Sequence, residues 1–82
     1  MKIYVFTCHT AVDGEYLGTT NEVYHSKWMA VDAFLKWRSD EIDYVQRANW
    51  KIGTDTDEHF EAYDEGDYCC NHTEGFINEY EI

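Results

Sequence analysis

Proline is absent from this 82-residue chain, and Lys and Arg are absent from residues 52 to 82. Without proline there is no stiff Pro-rich linker, and turns must be built from Gly, Asp and Asn. Cysteine is scarce: three residues, an odd count that argues against a disulfide framework and for a reducing compartment. No apolar run approaches the roughly eighteen residues of a membrane span. "MKIYVFTCHT" has neither the apolar h-region nor the small-residue cleavage site of a signal peptide, so the expected location is cytoplasmic. The sequence also lacks G-x-S-x-G, H-E-x-x-H, a P-loop and G-x-G-x-x-G. A core this thin leaves little room for an enclosed substrate pocket of ~300 Å³. The expectation is a protein that is not an enzyme and holds no cofactor.

What is present is acid and aromatic surface. The formal net charge is −11, from 17 acids and 6 bases. Residues 1 to 51 nearly cancel, whereas residues 52 to 82 hold Asp55, Asp57, Glu58, Glu61, Asp64, Glu65, Asp67, Glu74, Glu79 and Glu81 with no Lys or Arg. A surface made acidic for solubility alone would usually mix the two signs. The chain is nevertheless 44% hydrophobic and 17% aromatic, unlike disordered acidic tails, so it should fold. At this length folding buries roughly 60–65% of the unfolded surface.

The pattern predicts an α+β domain spanning residues 1–82, with an antiparallel sheet of three to five strands packed on one main helix at about residues 26–38. "KIYVFTCH" alternates with apolar residues on both sides, which reads as a strand with two covered faces. Asp13-Gly14 is a hairpin turn before a second strand at about Tyr16 to Tyr24. Ser26 is an N-cap for a helix whose apolar stripe is Ala30, Ala33, Phe34 and Trp37, with Lys36 and Arg38 expected in its last turn. The next stretch reads as a second short helix near residues 40–48, a helix continuation or an irregular crossing. Period-two patterns return in "HFEAY" and "GFINEYEI", which place Phe60, Phe76 and Tyr80 inward.

Several residue groups bear on function. Asp55, Asp57, His59 and Glu61 recur at every second position, as do Glu79 and Glu81. On extended backbone, same-face carboxylates lie about 6.6 Å apart, twice the strand rise. Such rows can imitate a phosphate backbone for a partner built from Lys and Arg, or they can simply form a solvated sheet face. Tyr63 and Tyr68, beside the "DEGD" turn, have the amphipathic character of interface anchors. Cys8, His9, Cys69, Cys70 and His72 are zinc-ligand candidates, but the usual C-x₂₋₄-C spacing is missing and vicinal cysteines seldom bind one ion together. A calcium loop fails on order, because counting from Asp55 puts Phe60 where Gly is needed and Gly66 where Glu is needed.

In size, charge and the run from Asp55 to Asp67 with Glu79 and Glu81, the chain resembles the small acidic phage-encoded inhibitors that imitate nucleic acid. These include anti-restriction and anti-CRISPR proteins. The resemblance is compositional. It implies a non-enzymatic protein that docks on a basic, nucleic-acid-binding surface of a partner protein or complex and blocks it. Asp55, Asp57, Glu58, Glu61, Tyr63, Asp64, Glu65, Asp67, Tyr68, Glu79 and Glu81 would make the contacts. The helix would be scaffold, with Trp28 an exposed exception. Direct binding to nucleic acid or membrane is disfavoured by like charge. The small core leaves a homodimer open. Two other readings stand beside this one: a shape-specific adaptor or antitoxin-like module with incidental acidity, and a small zinc-stabilised domain.

Overall fold

A computed structural model describes residues 1–67 and 69–82. Strands β1 (Lys2–Val12) and β2 (Glu15–Tyr24) form a hairpin, followed by helix α1 (Lys27–Ala48). Strands β3 (Lys51–Asp55), β4 (His59–Tyr63) and β5 (His72–Glu81) complete the chain. The five strands make one antiparallel sheet in the order β2-β1-β5-β4-β3, so β5 returns to pair with β1. The expected α+β architecture is present.

Asp13 and Gly14 form the first hairpin turn with φ of 53° and 81°. Both values lie in the left-handed region that an Asp-Gly pair tolerates, and the resulting turn matches the right-handed twist of the strands. Strand β1 spans about 37 Å and α1 about 33 Å, so one helix runs the length of the sheet. It covers one face. Phe6, Phe34, Val45, Phe60 and Ala62 form the core between them, with Cys8, Trp37, Ile42, Trp50 and Ile77 packed around it. The other face carries Ile3, Val5, His9, His59, Glu61, Glu74 and Phe76, and among the described residues no element is layered on it. The two covered faces expected for β1 therefore reduce to one.

The expected second short helix near residues 40–48 is not a separate element; these residues are the second half of α1. The inward stripe reads Ala30, Phe34, Trp37, Glu41 and Val45, at helical spacing throughout. A carboxylate at the fourth position makes the stripe look interrupted in the sequence, although no Gly or Pro breaks the backbone. Burial pushes the Glu41 carboxyl above its ordinary range, while a hydrogen bond from the Thr73 hydroxyl (3.3 Å) opposes the shift. Ser26 is the N-cap as expected, though its side chain makes no capping bond. The helix ends at Asn49, whose φ of 62° places it in the left-handed cap position. The longer helix also moves Lys36 and Arg38 to its middle, leaving Arg47 in the last turn.

Register corrects two inward assignments. Phe60 lies opposite Gly75 and faces the helix, whereas Phe76 lies opposite His59 on the uncovered face, and Tyr80 is about half exposed. The inward positions of β5 are Thr73, Gly75 and Ile77. Among the described residues, no helix is long and apolar enough to cross a membrane.

Candidate functional site

The acids of residues 52 to 82 separate into three groups in space. The first group is compensated by cations from other elements. Arg38 donates two hydrogen bonds to Asp55 at 2.7 and 2.6 Å, which hold that carboxyl below its ordinary range. Lys27 pairs with Glu58 at 2.8 Å, Lys2 with Glu79 at 3.5 Å, and the N-terminal ammonium with Glu81 at 3.3 Å. The missing lysines are thus supplied by the helix and β1. Glu79 and Glu81 end β5 at the opposite end of the sheet from residues 64–67 and do not extend their field.

The second group stands on the uncovered face. Glu61 and Glu74 are cross-strand neighbours, a pairing of like charges that costs stability unless it is relieved. Glu74 is bracketed by two imidazoles: His9 Nε2 lies 3.2 Å from Oε1 and His59 Nε2 lies 2.6 Å from Oε2. Each ring can present one N–H to one carboxylate oxygen. His9 Nδ1 is buried with no hydrogen-bond partner among the described residues, which suits a tautomer protonated on the nitrogen facing Glu74. The ring of His72 sits 5.0 Å from that of His9. His59, Glu74 and Phe76 also line a depression of about 420 Å³ with Thr56 and Glu58. The sequence showed the period-two spacing of His59 and Glu61, but it could not show that His9, sixty-five residues from Glu74, completes the group.

The third group is uncompensated. No Lys, Arg or His forms an ion pair with Asp57, Asp64, Glu65 or Asp67 among the described residues. The same holds for Asp13 and Glu15 of the β1–β2 turn, which the sequence assigns to the near-neutral half. Asn71 brings this turn and the β4–β5 loop together. Its side-chain Oδ1 accepts the Asp13 N–H at 2.9 Å, and its backbone carbonyl accepts the Asp64 N–H at 3.0 Å. A third bond runs from Gly14 N–H to the Cys70 carbonyl at 2.9 Å. Within the loop, Asp64 Oδ1 accepts the Gly66 N–H at 3.0 Å. Asp13, Glu15, Asp64, Glu65 and Asp67 therefore form one acidic end of the sheet. Lys51 opens β3 at the same end, opposite Tyr63, without pairing to any of them.

The expected row Asp55, Asp57, Glu61 is broken because a turn separates β3 from β4. Asp55 pairs opposite Phe60 on the helix side, and Glu61 points to the other face. Tyr63 is half-buried near Gly53. The interface role expected of Tyr68 lies outside the described residues. The five zinc candidates also divide. Cys8 faces the helix, where burial and nearby Glu22 and Glu41 push its thiol upward. His9 and His72 share the uncovered face, while Cys69 and Cys70 lie in the β4–β5 loop. The five do not converge on one ion.

No family model matches the chain, and no curated protein or solved structure is significantly similar to it.

Proposed function

We propose that this protein is a non-enzymatic acidic binder that docks its acidic end onto a basic, nucleic-acid-binding surface of a partner protein and blocks it. The observation that carries this reading is the set Asp13, Glu15, Asp64, Glu65 and Asp67. These five carboxylates sit on or beside two turns tied by Asn71 and form no ion pair among the described residues, while most acids elsewhere in residues 52 to 82 are neutralised from within. Carboxylates without an internal cation, carried on turns braced by backbone hydrogen bonds, are arranged in advance for Lys and Arg from outside. Steering by such a field speeds association and weakens as salt rises. A partner evolved to hold phosphates offers the matching surface, and the compositional likeness to phage nucleic-acid mimics points the same way.

The test is a tagged pull-down from bacterial lysate at two salt concentrations with three chains. The first is native, the second carries amides at Asp13, Glu15, Asp64, Glu65 and Asp67, and the third carries amides at Asp55, Glu58, Glu79 and Glu81. The expected result is a nucleic-acid-binding partner held by the native and third chains, lost by the second, and displaced by DNA or RNA. Equal retention by the second chain would sink the reading.

A shape-specific protein-binding module is the second reading, favoured by Trp28, which is 78% exposed at the start of the helix beside exposed Met29. It predicts that Trp28→Ala abolishes capture while the five amides leave it intact.

A further inference from the structure

The β4–β5 loop holds an arrangement that shares Asp67 with the docking reading but draws on two cysteines that reading does not use. Cys69 Sγ and Cys70 Sγ lie 3.4 Å apart, and Cys69 Sγ lies 3.7 Å from Asp67 Oδ1. One donor atom from each of the three residues lies within 4.8 Å of the others. Adjacent cysteines usually diverge, but here a turn at residues 69–70 puts both sulfurs on one side.

We propose that Asp67, Cys69 and Cys70 form a binding site for one thiophilic divalent ion of the zinc class. Around tetrahedral zinc, Zn–S bonds of ~2.3 Å place two sulfurs ~3.8 Å apart, and a carboxylate oxygen ~3.5 Å from each sulfur. The 3.4 and 3.7 Å separations require adjustments of only a few tenths of an ångström, and the third, between Cys70 Sγ and the Asp67 carboxylate, lies within 4.8 Å and closes by a side-chain rotation.

The loop is braced to keep this geometry. The Asp67 carbonyl accepts N–H bonds from Cys70 (3.3 Å) and Asn71 (3.0 Å), and the Asp67 N–H is bound to the Asp64 carbonyl at 3.0 Å. The Cys70 carbonyl is anchored from outside the loop by Gly14 N–H. Cys69 is exposed, which gives an ion a route in. Two thiolates with one carboxylate select zinc or cadmium over magnesium and calcium, which prefer oxygen donors throughout. The neighbouring carboxylates of Asp13, Asp64 and Glu65 raise the local concentration of any cation. Three protein donors leave the fourth position to water or to an outside ligand. The site shares only Asp67 with the docking reading, and the thiolates of Cys69 and Cys70 test it apart from that reading.

The experiment is a Cd²⁺ titration of the reduced full-length chain in excess Mg²⁺, followed by the near-ultraviolet thiolate-to-metal charge-transfer band and then by displacement with Zn²⁺. Neither the Glu74 histidines nor the acidic surface produces that band. The expected result is saturation at one equivalent, unchanged in Cys8→Ser, absent in Cys69→Ser and Cys70→Ser, and reversed by Zn²⁺. Asp67→Asn should weaken binding by at least about tenfold. Circular dichroism checks each variant's fold, and exposed Cys69 alone decides the matter if Cys70→Ser does not fold. Four outcomes would overturn the site: no band, a band that survives Cys69→Ser, unchanged affinity in Asp67→Asn, or saturation at half an equivalent, which means two chains share the ion.

Discussion

Trp37 lays the six-membered ring of its indole against the backbone of Gly75: a Cβ placed on Gly75 would sit 2.4 Å from Cζ3 and 2.6 Å from Cη2. Gly75 is the fourth residue of β5 and lies between Cys8 of β1 and Phe60 of β4. Its missing side chain leaves the hollow into which α1 presses its largest inward residue. Trp37 then meets Phe6 at 5.8 Å and Phe60 at 6.0 Å, both edge to face, the geometry that aromatic quadrupoles favour. The height of the helix above the sheet is set at this contact.

Gly75→Ala should therefore destabilise the fold, by about 1–3 kcal/mol, the usual cost of overpacking. Without the clash, the same change in a strand would be neutral or stabilising, because alanine loses less backbone entropy on folding. Urea unfolding of Gly75→Ala, Trp37→Leu and the double variant reads the coupling. The double variant should be less damaged than the sum of the singles by about 0.5–3 kcal/mol. Strict additivity would show that the contact does not hold the helix in place.

Glu41 should make stability fall as pH rises above the ordinary carboxylate value of 4.5. Burial raises its folded-state pKa, so the folded chain holds this proton more tightly than the unfolded chain does. The resulting stabilisation is fully present below the unfolded value and is lost as pH climbs through the raised one. Urea unfolding of native protein and Glu41→Gln across that window should show the variant gaining on the native chain with rising pH. A constant difference would mean that the carboxyl is solvated.

The Arg38–Asp55 pair has the opposite sign. Arg38 lowers the Asp55 pKa from its ordinary 3.8, so its contribution is present above that value and disappears as pH falls through the lowered one. At neutral pH, Asp55→Asn should cost up to about 1 kcal/mol, since the pair is part-exposed despite its two-point geometry. The difference from the native chain should close in acid and shrink in high salt. A cost indifferent to both would place the effect in packing, for instance through Arg38, which also lies over the Phe60 ring at 5.5 Å.

Asn71→Ala removes the acceptor for the Asp13 N–H and should cost about 0.5–1.5 kcal/mol. The more local sign is amide exchange: Asp13 and Gly14 should exchange faster, while amides in the centre of β1 keep their protection. If the turn exchanges as slowly as before, the two acidic turns are held together by something other than this bond.

Much of the fold was legible locally. The left-handed Asp13-Gly14 turn, the Ser26 boundary and the alternation around Phe60 are properties of a few adjacent residues, and each appears in the structure. The failures arose where a local pattern had two solutions. Ser39 followed by Asp40 and Glu41 has the composition of a helix start, so the stretch after Arg38 read as a second short helix, a continuation or an irregular crossing, and the structure has the continuation. Phe76 looked inward because period two defines two faces without saying which one the helix covers. Register decides that, and it puts Gly75 under Trp37 and Phe76 beside His59.

The site divides along the same line. The net charge, the absence of Lys and Arg from residues 52 to 82, and the adjacency of Cys69 and Cys70 follow from the chain alone, since they are sums and neighbours along it. Which acids remain uncompensated was decided only by tertiary structure. Charge pairing depends on distances of a few ångströms between residues far apart in the sequence. Arg38, Lys27 and Lys2 reach Asp55, Glu58 and Glu79 across the fold, while Asn71 carries Asp13 from the near-neutral half into the acidic end.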